Sequence, residues 1–101
     1  MLATFTIIPI GAGESISPIV AKVVKLVDSS NLDYRLTAMG TIVEGEWDEV
    51  LTLIKKAHKL VRRHSARVLT SITIDDRKGA KKRLTGKVDS VKSKLKIEVK
   101  S

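Results

Sequence analysis

The sequence predicts an α+β fold in which two helices cover one face of a four-stranded antiparallel sheet. Three observations predict it. Residues 2–10 and 67–75 are rich in β-branched side chains and alternate with period two. Residues 19–27 and 47–61 repeat apolar side chains every three or four positions. Between these two helical stretches, Gly40 marks a turn flanked by two short alternating runs, which reads as a hairpin.

Taken in order, residues 2–10 (LATFTIIPI) form the first strand. Phe5, Ile7 and Pro9 point to one face, and Thr4, Thr6, Ile8 and Ile10 to the other. Gly11-Ala12-Gly13 is a loop. Ser17 and Pro18 suit the N-cap and first turn of a helix. Ile19, Val20, Val23, Val24 and Val27 give that helix an apolar face, and Asp28–Asn31 end it. Residues 33–39 form the second strand and residues 41–44 a short third one. Gly45 is the expected N-cap of the second helix. Acidic Glu46, Asp48 and Glu49 stand in its first turn and basic Lys59, Arg62, Arg63 and His64 in its last, which complements the helix dipole. Trp47, Val50, Leu51, Ile54, Ala57 and Val61 are its expected buried stripe. Residues 67–75 form the fourth strand. Leu84, Val88, Val91 and Leu95, spaced 4, 3 and 4, predict an extra amphipathic helix over residues 81–94. Residues 95–100 alternate and fit frayed helix, strand or tail.

The order β-α-β-β-α-β around a central hairpin is the ferredoxin-like split βαβ arrangement, here with an additional C-terminal helix. The 101 residues make one domain, with a basic C-terminal part over about residues 78–101. The helix-free face would be dotted with hydroxyls among apolar neighbours, which predicts self-association through the sheet.

Composition narrows the function classes. There is no cysteine, hence no disulfide and no thiolate metal site. Apolar runs stop well short of the ~20 residues a membrane span needs, and residues 1–10 lack the basic start of a signal peptide. A cytoplasmic location is expected, without a membrane partner. Glutamine is absent and asparagine occurs once, which favours a thermophilic source. The net charge of +8 lies entirely in residues 77–101, with ten basic and two acidic residues; residues 1–76 carry nine of each. This basic segment offers a nucleic-acid reading through phosphate contacts. The only aromatics are Phe5, Tyr34 and Trp47, and no strand has the paired aromatics used to stack bases, so nucleic acid is not the expected partner.

Candidate chemistry concentrates in residues 37–48 (TAMGTIVEGEWD). Glu44 stands where a short strand passes into a helix. It fits a solvated carboxylate near a helix N-terminus, or an acceptor for a cationic or amidine-like ligand. Trp47 fits a core residue, or a wall against which a heteroaromatic ring stacks. Asp75 and Asp76, adjacent on a strand, point to opposite faces and do not make an acid–base dyad. His58 and His64, six residues apart on a helix, lie on different faces and do not make a metal pair. No nucleophile–base pair or phosphate loop has a convincing spacing, so no enzyme and no cofactor are expected.

Four blocks then carry a family resemblance: IIPIG (residues 7–11), MGTIVEGEWDEV (39–50), TSITIDDRKG (70–79) and GKVDSVKSKL (86–95). In order and spacing they resemble the small thiamine-binding proteins, long catalogued as an uncharacterised family. The resemblance implies a ferredoxin-like core with a C-terminal helix, assembled as homodimers that often pair into tetramers. It implies a carrier or salvage component rather than an enzyme, with thiamine or its hydroxymethylpyrimidine moiety as ligand. Carried over by position, it implies a ligand site of Thr41, Glu44 and Trp47, joined by Met39 and Gly40 of the same turn, with Ser15 and Ser17 of the first loop as weaker candidates. A nucleic-acid-binding or purely oligomeric module built on the basic segment is the alternative.

Overall fold

The structure, a computed structural model, describes residues 1–11, 17–79 and 84. Six elements follow one another: β1 (Leu2–Ile10), α1 (Ser17–Ser29), β2 (Asp33–Thr37), β3 (Gly40–Glu44), α2 (Trp47–Arg62) and β4 (Arg67–Asp75). All pairings are antiparallel, and the strand order is β2-β3-β1-β4. This is the ferredoxin-like α+β arrangement. The predicted helix over residues 81–94 and the segment 95–100 lie outside the described residues, except for Leu84, which is helical.

The register separates two faces of the sheet. Phe5 pairs with Thr41 on one side and Ile72 on the other, and Ala3 with Val43 and Ile74. These side chains share the face covered by the helices, where Ala3, Phe5, Val43, Val27, Val50, Leu53, Ile54 and Ala57 form the core. The opposite face has a gradient of polarity, set by the same register. At one end Asp33, Glu44, Leu2 and Asp75 lie side by side across all four strands. Thr4 beside Thr73 and Thr6 beside Ser71 fill its middle, and Ile8 beside Leu69 its far end.

Helix α2 is well anchored. Its N-cap is Glu46 rather than the expected Gly45, and Glu49 Oε1 accepts from the Glu46 N–H at 3.2 Å, one arm of a capping box. Trp47 is therefore the first helical residue. It leads the apolar stripe by a full turn and is 50 % exposed, outside the core expected for it. The buried stripe is Val50, Leu53, Ile54, Ala57 and Val61, with Leu51 only half-buried. His58 Nδ1 meets Thr70 Oγ1 at 2.6 Å, fastening α2 to β4. Beyond the helix, the buried Ser65 hydroxyl donates towards the carbonyls of Ile10 (2.9 Å) and Arg67 (2.8 Å), which joins the end of β1 to the start of β4.

Helix α1 is held differently. It packs on α2, but its Cα atoms come much less close to the strands than those of α2. Only Val27 is fully buried; Ile19, Val23 and Val24 are half-buried and Val20 is exposed, so the predicted apolar face is only partly covered. The end of α1 is tied by Ser30, whose hydroxyl donates to the Val27 carbonyl at 2.6 Å, before Asn31 turns the chain with φ of 62°. Tyr34 of β2 packs against the core, and its phenol donates to Asp28 Oδ1 at 2.8 Å. That hydrogen bond chiefly, with desolvation and the nearby negative charge, raises the phenol above its ordinary pKa of 10.0. The folded state therefore favours the neutral phenol. The resulting stabilisation is complete below pH 10.0 and is lost as pH rises through the folded pKa. Chemical denaturation of wild type and Tyr34→Phe across this range checks it: the stability gap is expected to close in alkali.

Candidate functional site

The turn between β2 and β3 is built by Thr37. Its hydroxyl accepts from the Met39 N–H (3.2 Å) and donates to the Gly40 carbonyl (2.7 Å). These bonds end β2 at Thr37, two residues before its expected end, and start β3 at Gly40, leaving Ala38 and Met39 as the loop. Gly40 has φ of +145°, a region that side-chain-bearing residues rarely adopt. A Cβ there would lie 2.9 Å from the Phe5 carbonyl oxygen and 2.8 Å from Thr6 Cγ2. The turn thus lies tightly against β1 because the residue is glycine.

Because α1 stands off the strands, a cleft of about 690 Å³ opens between it and this hairpin. Met39, Gly40 and Thr41 form one side, with Leu36 and Thr37. Ile19, Val20, Val23 and Val24 of α1 form the other, and Phe5 and Ile7 line the cleft from β1. The lining is mainly apolar; of its threonines, Thr41 shares the helix-covered face with Phe5, whereas Thr6 points to the other face and the Thr37 hydroxyl is engaged in the turn. Met39, 84 % exposed, projects at its rim. A second hollow of about 490 Å³ between the end of α1 and the start of α2 contains none of the candidate residues.

The structure does not bring all seven candidates to one place. Met39, Gly40 and Thr41 line the cleft. Glu44 does not: three residues beyond Thr41 on the same strand, it points to the opposite face of the sheet, beside Leu2 and Asp33. It is only 9 % exposed, and its Oε1 accepts from the Leu84 N–H at 3.2 Å. Trp47, at the start of α2, lines neither hollow. Ser17 is described and exposed but does not line the cleft, and Ser15 lies outside the described residues. The α1 side of the cleft contains none of the sequence candidates. Val20, an apolar residue that the helix leaves exposed, is its marker.

Residues 3–92 match the sequence profile of a family described as thiamine-binding protein. The chain belongs to this family. A UPF0045 protein of Methanothermobacter thermautotrophicus is 41 % identical over 96 residues, covering 92 % of this chain and 97 % of the relative. A UPF0045 protein of Methanocaldococcus jannaschii is 35 % identical over 91 residues, covering 90 % and 91 %. A crystal structure of a hypothetical protein from M. jannaschii superposes with a TM-score of 0.80 at 36 % identity, over 89 % of this chain and 93 % of that one. A Thermotoga maritima protein, proposed to act in thiamine biosynthesis or salvage, superposes with a TM-score of 0.78 at 18 % identity, over 89 % and 96 %, and shares the fold. Membership of the thiamine-binding family supports a small-molecule-binding role. Among the described residues, no three His, Cys, Asp or Glu side chains gather as a metal site, and no helix is long and apolar enough to cross a membrane.

Proposed function

We propose that this protein binds thiamine or its hydroxymethylpyrimidine portion, without turnover, in the cleft between α1 and the β2–β3 hairpin, as a carrier or salvage component. One observation carries the reading: in a chain of the thiamine-binding family, the motif residue Thr41 and its turn neighbours Met39 and Gly40 line a mainly apolar hollow of about 690 Å³. That volume lies within the roughly 300–1,000 Å³ of small-molecule pockets. An aminopyrimidine is a flat ring with a donor–acceptor edge. The valines of α1 and Met39 offer apolar contact to its faces, and the Thr41 hydroxyl offers a hydrogen bond to its edge. Glu44 is not assigned to the ligand, since it faces away from the cleft.

Isothermal titration with thiamine and with hydroxymethylpyrimidine tests this. Saturable heat with at least one ligand is expected. Thr41→Val should weaken binding by about 2- to 10-fold, the loss of one neutral hydrogen bond. Glu44→Ala should leave affinity within about twofold, because its side chain is on the opposite face of the sheet and does not line the cleft. Absence of heat with both ligands at high micromolar concentration would overturn the reading, and abolition of binding by Glu44→Ala alone would move the site out of the cleft.

The exposed apolar end of the helix-free face favours a second property. Ile8 and Leu69, adjacent across β1 and β4, are 51 % and 52 % exposed, with Ile10 exposed beside them. We infer that a second copy covers this end, giving a homodimer and, by pairing of dimers, a homotetramer. Light scattering of wild type and Leu69→Lys is the check, with a smaller assembly expected for the variant.

A further inference from the structure

The end of the helix-free face opposite Ile8 and Leu69 holds a carboxylate that its own sheet cannot bury. Glu44 lies on a face to which neither α1 nor α2 contributes cover, yet it is 9 % exposed. What covers it must come from elsewhere, and the structure supplies one contact: the backbone N–H of Leu84, 40 residues away in sequence, donates to Glu44 Oε1 at 3.2 Å.

The surroundings of Glu44 suit the segment that Leu84 belongs to. Asp33, Glu44 and Asp75 lie in one row across the strands with Leu2 between the last two, and Ile42 lies in the next row. Arg35 pairs with Ile42 in that next row, so this end of the face carries three carboxylates and one guanidinium among apolar side chains. Asp75 and Glu44 each take part in further interactions. Residues 77–101 carry the chain's whole net charge of +8, and they repeat Leu84, Val88, Val91 and Leu95 at helical spacing. The segment is thus basic with an apolar stripe. Reach is no obstacle. From β4 to β3, across β1, is roughly 10 Å at the usual strand spacing. The nine residues from Asp75 to Leu84 can span up to about 30 Å when extended.

We propose that the Asp33–Glu44–Leu2–Asp75 end of this face is the docking surface for the chain's own basic C-terminal segment, with Glu44 as the clasp that receives it at Leu84. The contact is intramolecular, charge-assisted and independent of the ligand reading. It assigns Glu44 to holding the C-terminus rather than to a heterocycle.

Amide exchange on the full-length protein, read by NMR at Leu84 with Phe5 and Val61 as core references, tests it. In wild type the Leu84 amide is expected to be protected. Glu44→Ala should speed its exchange by about tenfold or more, the loss of a hydrogen bond to a charged acceptor, with the core references unchanged. Replacing Lys81, Lys82 and Arg83 together by alanine leaves the sheet intact and should also speed it, as should high salt. Exchange at the free-chain rate in wild type, or protection indifferent to both variants, would overturn the proposal. Protection that disappears on about hundredfold dilution would overturn it in favour of a second copy as the donor of the segment. None of these outcomes depends on whether thiamine binds.

Discussion

Phe5→Ala is expected to destabilise the fold by about 3–5 kcal/mol, the usual cost of deleting a buried aromatic ring. The physical reason is position. Phe5 lies on a central strand, 2 % exposed, with Thr41 and Ile72 as its cross-strand neighbours on the helix-covered face. It belongs to the core cluster and also lines the cleft, so its loss leaves a void that opens into an existing hollow. Domains of this size hold only about 5–15 kcal/mol in total. Urea denaturation should give a much lower midpoint with an unchanged slope, and Phe5→Leu should recover most of the loss. A midpoint within experimental error of wild type for Phe5→Ala would show that the ring is not a structural support.

Gly40→Ala is the second large effect. The new Cβ meets backbone, the Phe5 carbonyl oxygen at 2.9 Å, as well as Thr6 Cγ2 at 2.8 Å, and φ of +145° is itself unfavourable for alanine. Backbone strain of roughly 1–3 kcal/mol and overpacking of a similar size add to about 2–5 kcal/mol. Gly11→Ala is the control. Its φ is +78°, but nothing lies within 4 Å of the added Cβ, so only the conformational cost of about 1–2 kcal/mol remains. Thermal melts of the two variants should therefore separate clearly. Because Gly40 also lines the cleft, its variant should lose ligand heat at temperatures where it is still folded.

The elements most legible in the sequence are those whose pattern is set by a buried face. The alternation of Phe5, Ile7 and Pro9, and of Val68, Thr70, Ile72 and Ile74, is the pleat itself, and it sets the facing of β1 and β4. The stripe from Val50 to Val61 gave α2 for the same reason. Large apolar residues usually join such a stripe, whereas the Glu46–Glu49 cap makes Trp47 the first helical residue and leaves the indole half outside. The separation of Thr41 from Glu44 rests on a point the sequence does contain. Thr41 and Glu44 are an odd number of residues apart on one strand, so they cannot share a face. The cleft was not legible at all. It arises because α1 rests on α2 and holds back from the strands, a matter of packing between layers that no local pattern encodes.

That stance of α1 has a consequence for what the molecule can accommodate. A helix that leans on its neighbour takes no part in the ladders of the sheet, and Val27, its one fully buried residue, lies near its C-terminal end, with Val23 and Leu26 packed against the core beside it. Towards Ser17 the helix borders the cleft through Ile19 and Val20, while Met39 on the far lip contributes a pliable thioether. Closure of the cleft on that side therefore depends on the seating of α1 against α2, not on any strand pairing.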